Sequence, residues 1–185
     1  MDRWKDLVDA EPELAERVAA RFASAKHHVL ATLRRDGSPR VSGTEIQFFD
    51  GDLTIGMMPG SVKALDLGRD GRCALHAHPG DGSMDGGDAK VSGVAFEVTD
   101  ADERAAYLQH LADAAADGDE APGSDDGGEA PGSDDGGDGE GGGFEFALFR
   151  LSLRDVVLTS IHPDGDRLQI ETWHPGQPVK VVERA

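Results

Sequence analysis

TIGMMPGSVKALDL, residues 54–67, decides the reading of this chain. An apolar, strand-like run stops at Pro59-Gly60, and a short helix starts at Ser61 with Lys63 in its first turn. Free N–H groups give a helix start partial positive charge, so a lysine is disfavoured there. Two explanations stand side by side. An exposed lysine on a short helix would cost only about a few tenths of a kcal/mol. Alternatively, Lys63 meets a phosphate-type anion, with the Ser61 hydroxyl and helix-start N–H groups as donors and Gly60 allowing close approach.

Around that stretch the period is two. Residues 27–34 (HHVLATLR), 40–49 (RVSGTEIQFF) and 52–58 (DLTIGMM) read as successive strands, separated by the turn signals RDGSP and DG. Gly68 is a plausible cap for the helix that begins at Ser61. Strands follow at 72–78 and 89–99, then a helix at 100–116 with Asp100 as N-cap and Glu103 closing a capping-box-like pattern. FEFALFRLSL (144–153), DVVLTSIH (155–162) and RLQIETWH (167–174) read as the remaining strands. Upstream, Leu7, Leu14, Val18 and Phe22 recur at helical spacing over 3–24, with Pro12 opening a second helical segment. Seven or so mostly antiparallel strands with a few helices make an α+β protein built on a small β-barrel.

Residues 117–143 interrupt this pattern. EAPGSDDGG occurs at 120–128 and again unchanged at 129–137, and the segment holds ten acidic residues and no basic ones. Such a run buries too little apolar surface to offset its ordering entropy, so disorder is expected. The spacing of Asp and Gly fits neither common calcium-loop pattern. The chain thus divides into a helical segment (1–26), a barrel core (27–116), the insert (117–143) and closing strands (144–185). Setting the ten acids aside takes the formal charge from −18 to −8, which argues against nucleic acid and anionic membrane as partners. The lone Cys73 excludes an intrachain disulfide, and no signal core or membrane-length apolar run is present. A cytoplasmic protein is expected.

The order of motifs from Val29 to His78 (a strand, a D-G-x-P turn, a strand opened by Arg40, a D-G hairpin, a third strand, S-x-K and a short helix) resembles the FMN-binding split-barrel superfamily of pyridoxamine 5′-phosphate oxidase. The resemblance implies a flavin-dependent oxidoreductase acting on a small molecule, as a homodimer with FMN at the subunit interface. It gives Arg40, Ser61 and Lys63 to the flavin phosphate and runs Val41, Ser42, Gly43 and Thr44 beside the ring. Ile55 and Gly56 would close the third strand against the cofactor. The tail IETWHPGQPVKVVER (170–184) is similar to the family's E-x-W…R-x-H-x-R ending, which implies that Trp173 and Arg184 lie near the partner subunit's cofactor.

Departures bear on the substrate. Glu45 stands where the oxidase carries a second basic phosphate ligand, and Lys180 and Val182 stand where its Arg and His grip substrate phosphate. Lysine lacks the planar fork of arginine, so pyridoxamine phosphate is not expected as substrate. Relatives of the barrel use the deazaflavin coenzyme F-420 or bind haem, so those cofactors remain alternatives, as does a non-catalytic binding module. Arg34, Arg35 and Arg40 would supply cations for the acidic tail of a deazaflavin. His76 and His78 alternate on one strand, but no third residue sits at a diagnostic metal spacing. No nucleophile–base set is visible, and none is needed where a flavin carries the hydride.

Overall fold

A computed structural model describes residues 1–80, 83–116 and 146–185, with no side-chain placement for residue 115. The expected insert at 117–143 lies outside the described residues, as do Phe144 and Glu145. Among the described residues, four helices and nine strands follow in the order α1 (Trp4–Ala10), α2 (Pro12–Ala23), β1 (His28–Leu33), β2 (Pro39–Thr44), β3 (Gln47–Phe49), β4 (Asp52–Met57), α3 (Val62–Arg69), β5 (Arg72–His76), β6 (Asp88–Glu97), α4 (Ala101–Ala116), β7 (Ala147–Ile161), β8 (Leu168–Trp173) and β9 (Lys180–Arg184). Pro12 separates the two N-terminal helices at the first helical position, where its missing N–H costs nothing.

The strands are hydrogen-bonded in the order β2-β1-β5-β6-β7-β4-β3, with β8 on β7 and β9 on β8, and every pair is antiparallel. The two end strands, β2 and β3, are consecutive in the chain and joined only by Glu45 and Ile46. From Thr44 to Gln47 the chain spans at most about 11 Å, so the two ends of the sheet come together and the sheet is rolled. Helices α1 and α2 pack beneath it through Trp4, Leu7, Leu14, Val18 and Phe22, all in the main core cluster. Full burial of one such aliphatic side chain contributes roughly 1.5–3 kcal/mol.

Strand β7 organises the split. One edge pairs with β6 over most of its length. The other edge pairs with β4 over Ala147–Arg150 and with β8 over Val156–Ile161. In the gap between them Asp2 serves as a partner: its carbonyl accepts the Leu153 N–H at 2.7 Å, and its N–H reaches Ser152 Oγ at 3.1 Å. A bulge at Ser92/Gly93 accommodates the bend on the β6 side.

Four readings change. Residues 40–49 form two strands, because β2 pairs with β1 whereas β3 turns through a hairpin onto β4. Residues 147–161 form one strand where two were expected, and β9 adds a strand that was not foreseen. Gly68 lies inside α3, which ends at Asp70 with the Asp70 N–H on the Asp66 carbonyl at 2.8 Å. The Asp50-Gly51 hairpin has the expected form: both residues have positive φ (49° and 76°), as a two-residue primed turn requires.

Candidate functional site

Burial alternates along β2, which sorts its residues by face. Arg40, Ser42 and Thr44 lie on the less exposed side, in register with Thr32, Leu30 and His28 of β1. Val41 and Gly43 point to the other, exposed side. The stretch expected to run beside one ring is therefore divided between two faces by the strand period.

Helix α3 is tied to β2 at two points. Lys63 is only 8% exposed, and its Nζ donates to the Gly43 carbonyl at 2.9 Å. One turn on, Asp66 accepts from Arg40 Nε at 2.6 Å through Oδ2. The solvated-lysine explanation for Lys63 is thereby excluded: the ammonium is buried between a helix start and a strand. Asp66 also accepts from Thr32 Oγ1 at 3.0 Å and from Arg69 Nη2 at 2.9 Å. Burial pushes its carboxyl up, but the bonds from Arg40, Arg69 and Thr32 outweigh that and hold it below its ordinary value.

Ser61 is the N-cap residue of α3, yet its side chain makes no capping bond. Among the described residues, the Ser61 and Ser42 Oγ atoms are the buried side-chain polar atoms without a hydrogen-bond partner. Burying an unmade hydroxyl costs about 1–3 kcal/mol, so two at one helix–strand junction call for an explanation. Arg40 leaves its terminal nitrogens uncommitted: among the described residues its hydrogen bond is the one from Nε to Asp66. Two buried donors, a guanidinium fork and a buried ammonium gather on α3 and β2, and that donor set suits a phosphomonoester.

Other expected site residues sit elsewhere. Ile55 is fully buried in the core, while Gly56 faces α4, where an added Cβ would lie 3.2 Å from the Tyr107 hydroxyl. Trp173 points inward from β8 on the same side as Glu171 and is 1% exposed, packed in the main core cluster. Arg184 is exposed on the outer strand β9, opposite Leu168. Glu45 turns toward Lys26 (3.8 Å), which offsets its charge, and toward the His27 ring (3.7 Å). His76 uses its ring within the fold, with Nε2 at 2.9 Å from Asp88 and Nδ1 at 2.6 Å from the Ala77 carbonyl. Burial pushes the Cys73 thiol up to about 12, so it is no activated nucleophile.

Asp66 and Thr32 were not singled out from the sequence. A signal was present: Asp66 lies three residues after Lys63 and shares the buried face of α3 with Ala64 and Leu67.

The fold is that of the pyridoxamine 5′-phosphate oxidase-like, FMN-binding split-barrel proteins. The chain is similar to a pyridoxamine 5′-phosphate oxidase-related, FMN binding protein from Nostoc punctiforme PCC 73102, at 14% identity over 95% of this chain and 96% of that one, with a TM-score of 0.58. PhzG from Burkholderia lata 383, solved in complex with tetrahydrophenazine-1-carboxylic acid, is similar at 15% identity over 94% and 89%, TM-score 0.58. ChuZ from Campylobacter jejuni is similar at 11% identity over 92% of this chain and 63% of its own, TM-score 0.60. No protein-family model and no curated protein matches the chain. Among the described residues no helix is long and apolar enough to cross a membrane.

Proposed function

We propose that this chain is a dimeric, FMN-dependent oxidoreductase acting on a small molecule other than pyridoxamine phosphate. The observation that carries the reading is the pair of partnerless buried hydroxyls, Ser42 and Ser61, at the junction held by Lys63 and Arg40. A bound phosphate would accept from both hydroxyls and from the free nitrogens of Arg40, removing the cost of leaving them unmade. FMN, when bound, supplies the hydride chemistry. The chain's own residues anchor the phosphate and shield the site from water. Val41, Met58, Val62 and Leu65 are exposed apolar side chains of β2, α3 and the turn before α3. A second copy of the chain is the occupant we assign to them, since it would both cover these side chains and close the site. On the substrate side, Val182 offers no donor where a phosphate-gripping histidine would be needed, and Lys180 offers a point charge in place of a fork.

The test is the absorption spectrum of the purified protein, followed by fluorescence titration with FMN, on the native chain and on Lys63→Met. We expect one flavin per chain, bound at sub-micromolar concentration, and an affinity at least about tenfold lower in the variant, since a charge-assisted contact is lost. Binding of neither FMN nor the deazaflavin would overturn the reading. A Soret band would replace flavin with haem.

A further inference from the structure

Asp66 is a buried carboxylate in the middle of a junction otherwise built from donors and cations. If an anion binds there, a second negative charge needs a reason. Its geometry supplies one. Oδ2 takes Arg40 Nε at 2.6 Å and Thr32 Oγ1 at 3.0 Å, and Oδ1 takes Arg69 Nη2 at 2.9 Å. The three donors come from β2, β1 and α3, so the carboxylate is fixed from three elements, and its side chain is 3% exposed. Arg40 is thereby gripped at Nε while its two terminal nitrogens, on a side chain that is 22% exposed, remain available. Ser42, two residues along the same face of β2, carries one of the partnerless hydroxyls.

We propose that Asp66 is a positioning residue for anion recognition. It holds the Arg40 guanidinium so that its terminal nitrogens meet a phosphomonoester bidentately, and it leaves the rest of the flavin untouched. A free arginine would have to give up its rotamer freedom on binding, whereas a tethered one already has. The negative charge costs the ligand little, because the guanidinium stands between carboxylate and anion. Arg40, Arg69, Lys63 and Asp66 together carry two positive charges, enough to match a phosphomonoester dianion.

The inference rests on the FMN reading, and the phosphate group separates the two. Dissociation constants for FMN and for riboflavin, which lacks the phosphate, are measured on the full chain and on Asp66→Asn and Thr32→Val. Thr32→Val keeps every charge and removes one of the bonds that orient Asp66. We expect FMN affinity to fall about tenfold in Asp66→Asn and about threefold in Thr32→Val, with riboflavin affinity unchanged. Tighter FMN binding in Asp66→Asn would show that the carboxylate merely competes with the anion, and would overturn the proposal. An equal loss for FMN and riboflavin would make Asp66 a purely structural group and also overturn it. Equal affinity of the native chain for the two flavins would overturn it while leaving flavin binding intact. If the native chain binds neither flavin, the FMN reading falls and inorganic phosphate decides. A thermal stabilisation by phosphate that Asp66→Asn loses would uphold the positioning role, and none in the native chain would end it.

Discussion

Single residues carry the chemistry, and the sequence shows some of them better than others. Ser61 and Lys63 are visible because they open a helix just after the Pro59-Gly60 turn, and Arg40 and Ser42 through the resemblance that the order of motifs carries. Asp66 is hidden, because an acid on a short helix reads as solvated until its arginine partners are placed. His28 is a second hidden residue. Buried at the start of β1 with its ring edge-on to Phe22, it accepts the His78 N–H at Nδ1. Burial, with His78, His27 and Arg21 nearby, pushes it down from 6.5 to about 4. Below its ordinary pKa the unfolded chain takes a proton that the folded chain refuses. The stability it contributes is therefore complete above 6.5 and lost as pH falls toward about 4. That loss amounts to roughly 3 kcal/mol over the window. We expect His28→Gln to flatten the fall in Tm between about pH 7.5 and about pH 4.5. Asp66 and Glu171 are held below their ordinary values, so their contributions are lost at lower pH in both proteins and do not mask the difference. Parallel curves for the two proteins would show that His28 titrates normally in the fold.

At the scale of elements, local pattern and tertiary pairing disagree where the sheet bends. Residues 40–49 carry no turn residue at Glu45-Ile46, where the break falls, so nothing local marks it; it exists because β2 and β3 pair with different strands. Conversely, the charged pair Arg154-Asp155 looks like a gap, yet β7 continues through it, with the register shift at Ser92/Gly93 opposite. Gly93 is required there, since an added Cβ would lie 2.2 Å from the Ser152 carbonyl oxygen, a backbone atom that cannot swing aside. We expect Gly93→Ala to cost roughly 1–3 kcal/mol by urea unfolding, as over-packing does. Gly68→Ala should do the opposite. The residue lies inside α3 with nothing within 4 Å of an added Cβ, so alanine should stabilise by about 0.5–1 kcal/mol. A destabilised Gly68→Ala would mean that the glycine does serve as the helix cap.

For the molecule as a whole, the α+β class was legible from the change between strand and helix periods, and the hairpins β1–β2 and β3–β4 from their turn signals, whereas the order of the strands in the sheet was not. The rolled form of the sheet follows from connectivity, because two residues join its end strands. What no single chain displays is what covers Val41, Met58, Val62 and Leu65. With a second copy as occupant, light scattering should give a dimer, and Leu65→Asp should shift it to monomer and weaken FMN binding together. A monomeric native chain would remove the second copy from the site.

The most direct test of the phosphate site is the FMN affinity of Ser42→Ala/Ser61→Ala, read beside its Tm. In the free chain these hydroxyls bond to nothing among the described residues, so removing them should leave Tm unchanged or raised. We expect FMN affinity to fall at least about tenfold at that unchanged Tm, because under the proposed function these hydroxyls would find their partners in the flavin phosphate. Undiminished FMN affinity in the double variant would contradict a phosphate site between β2 and α3.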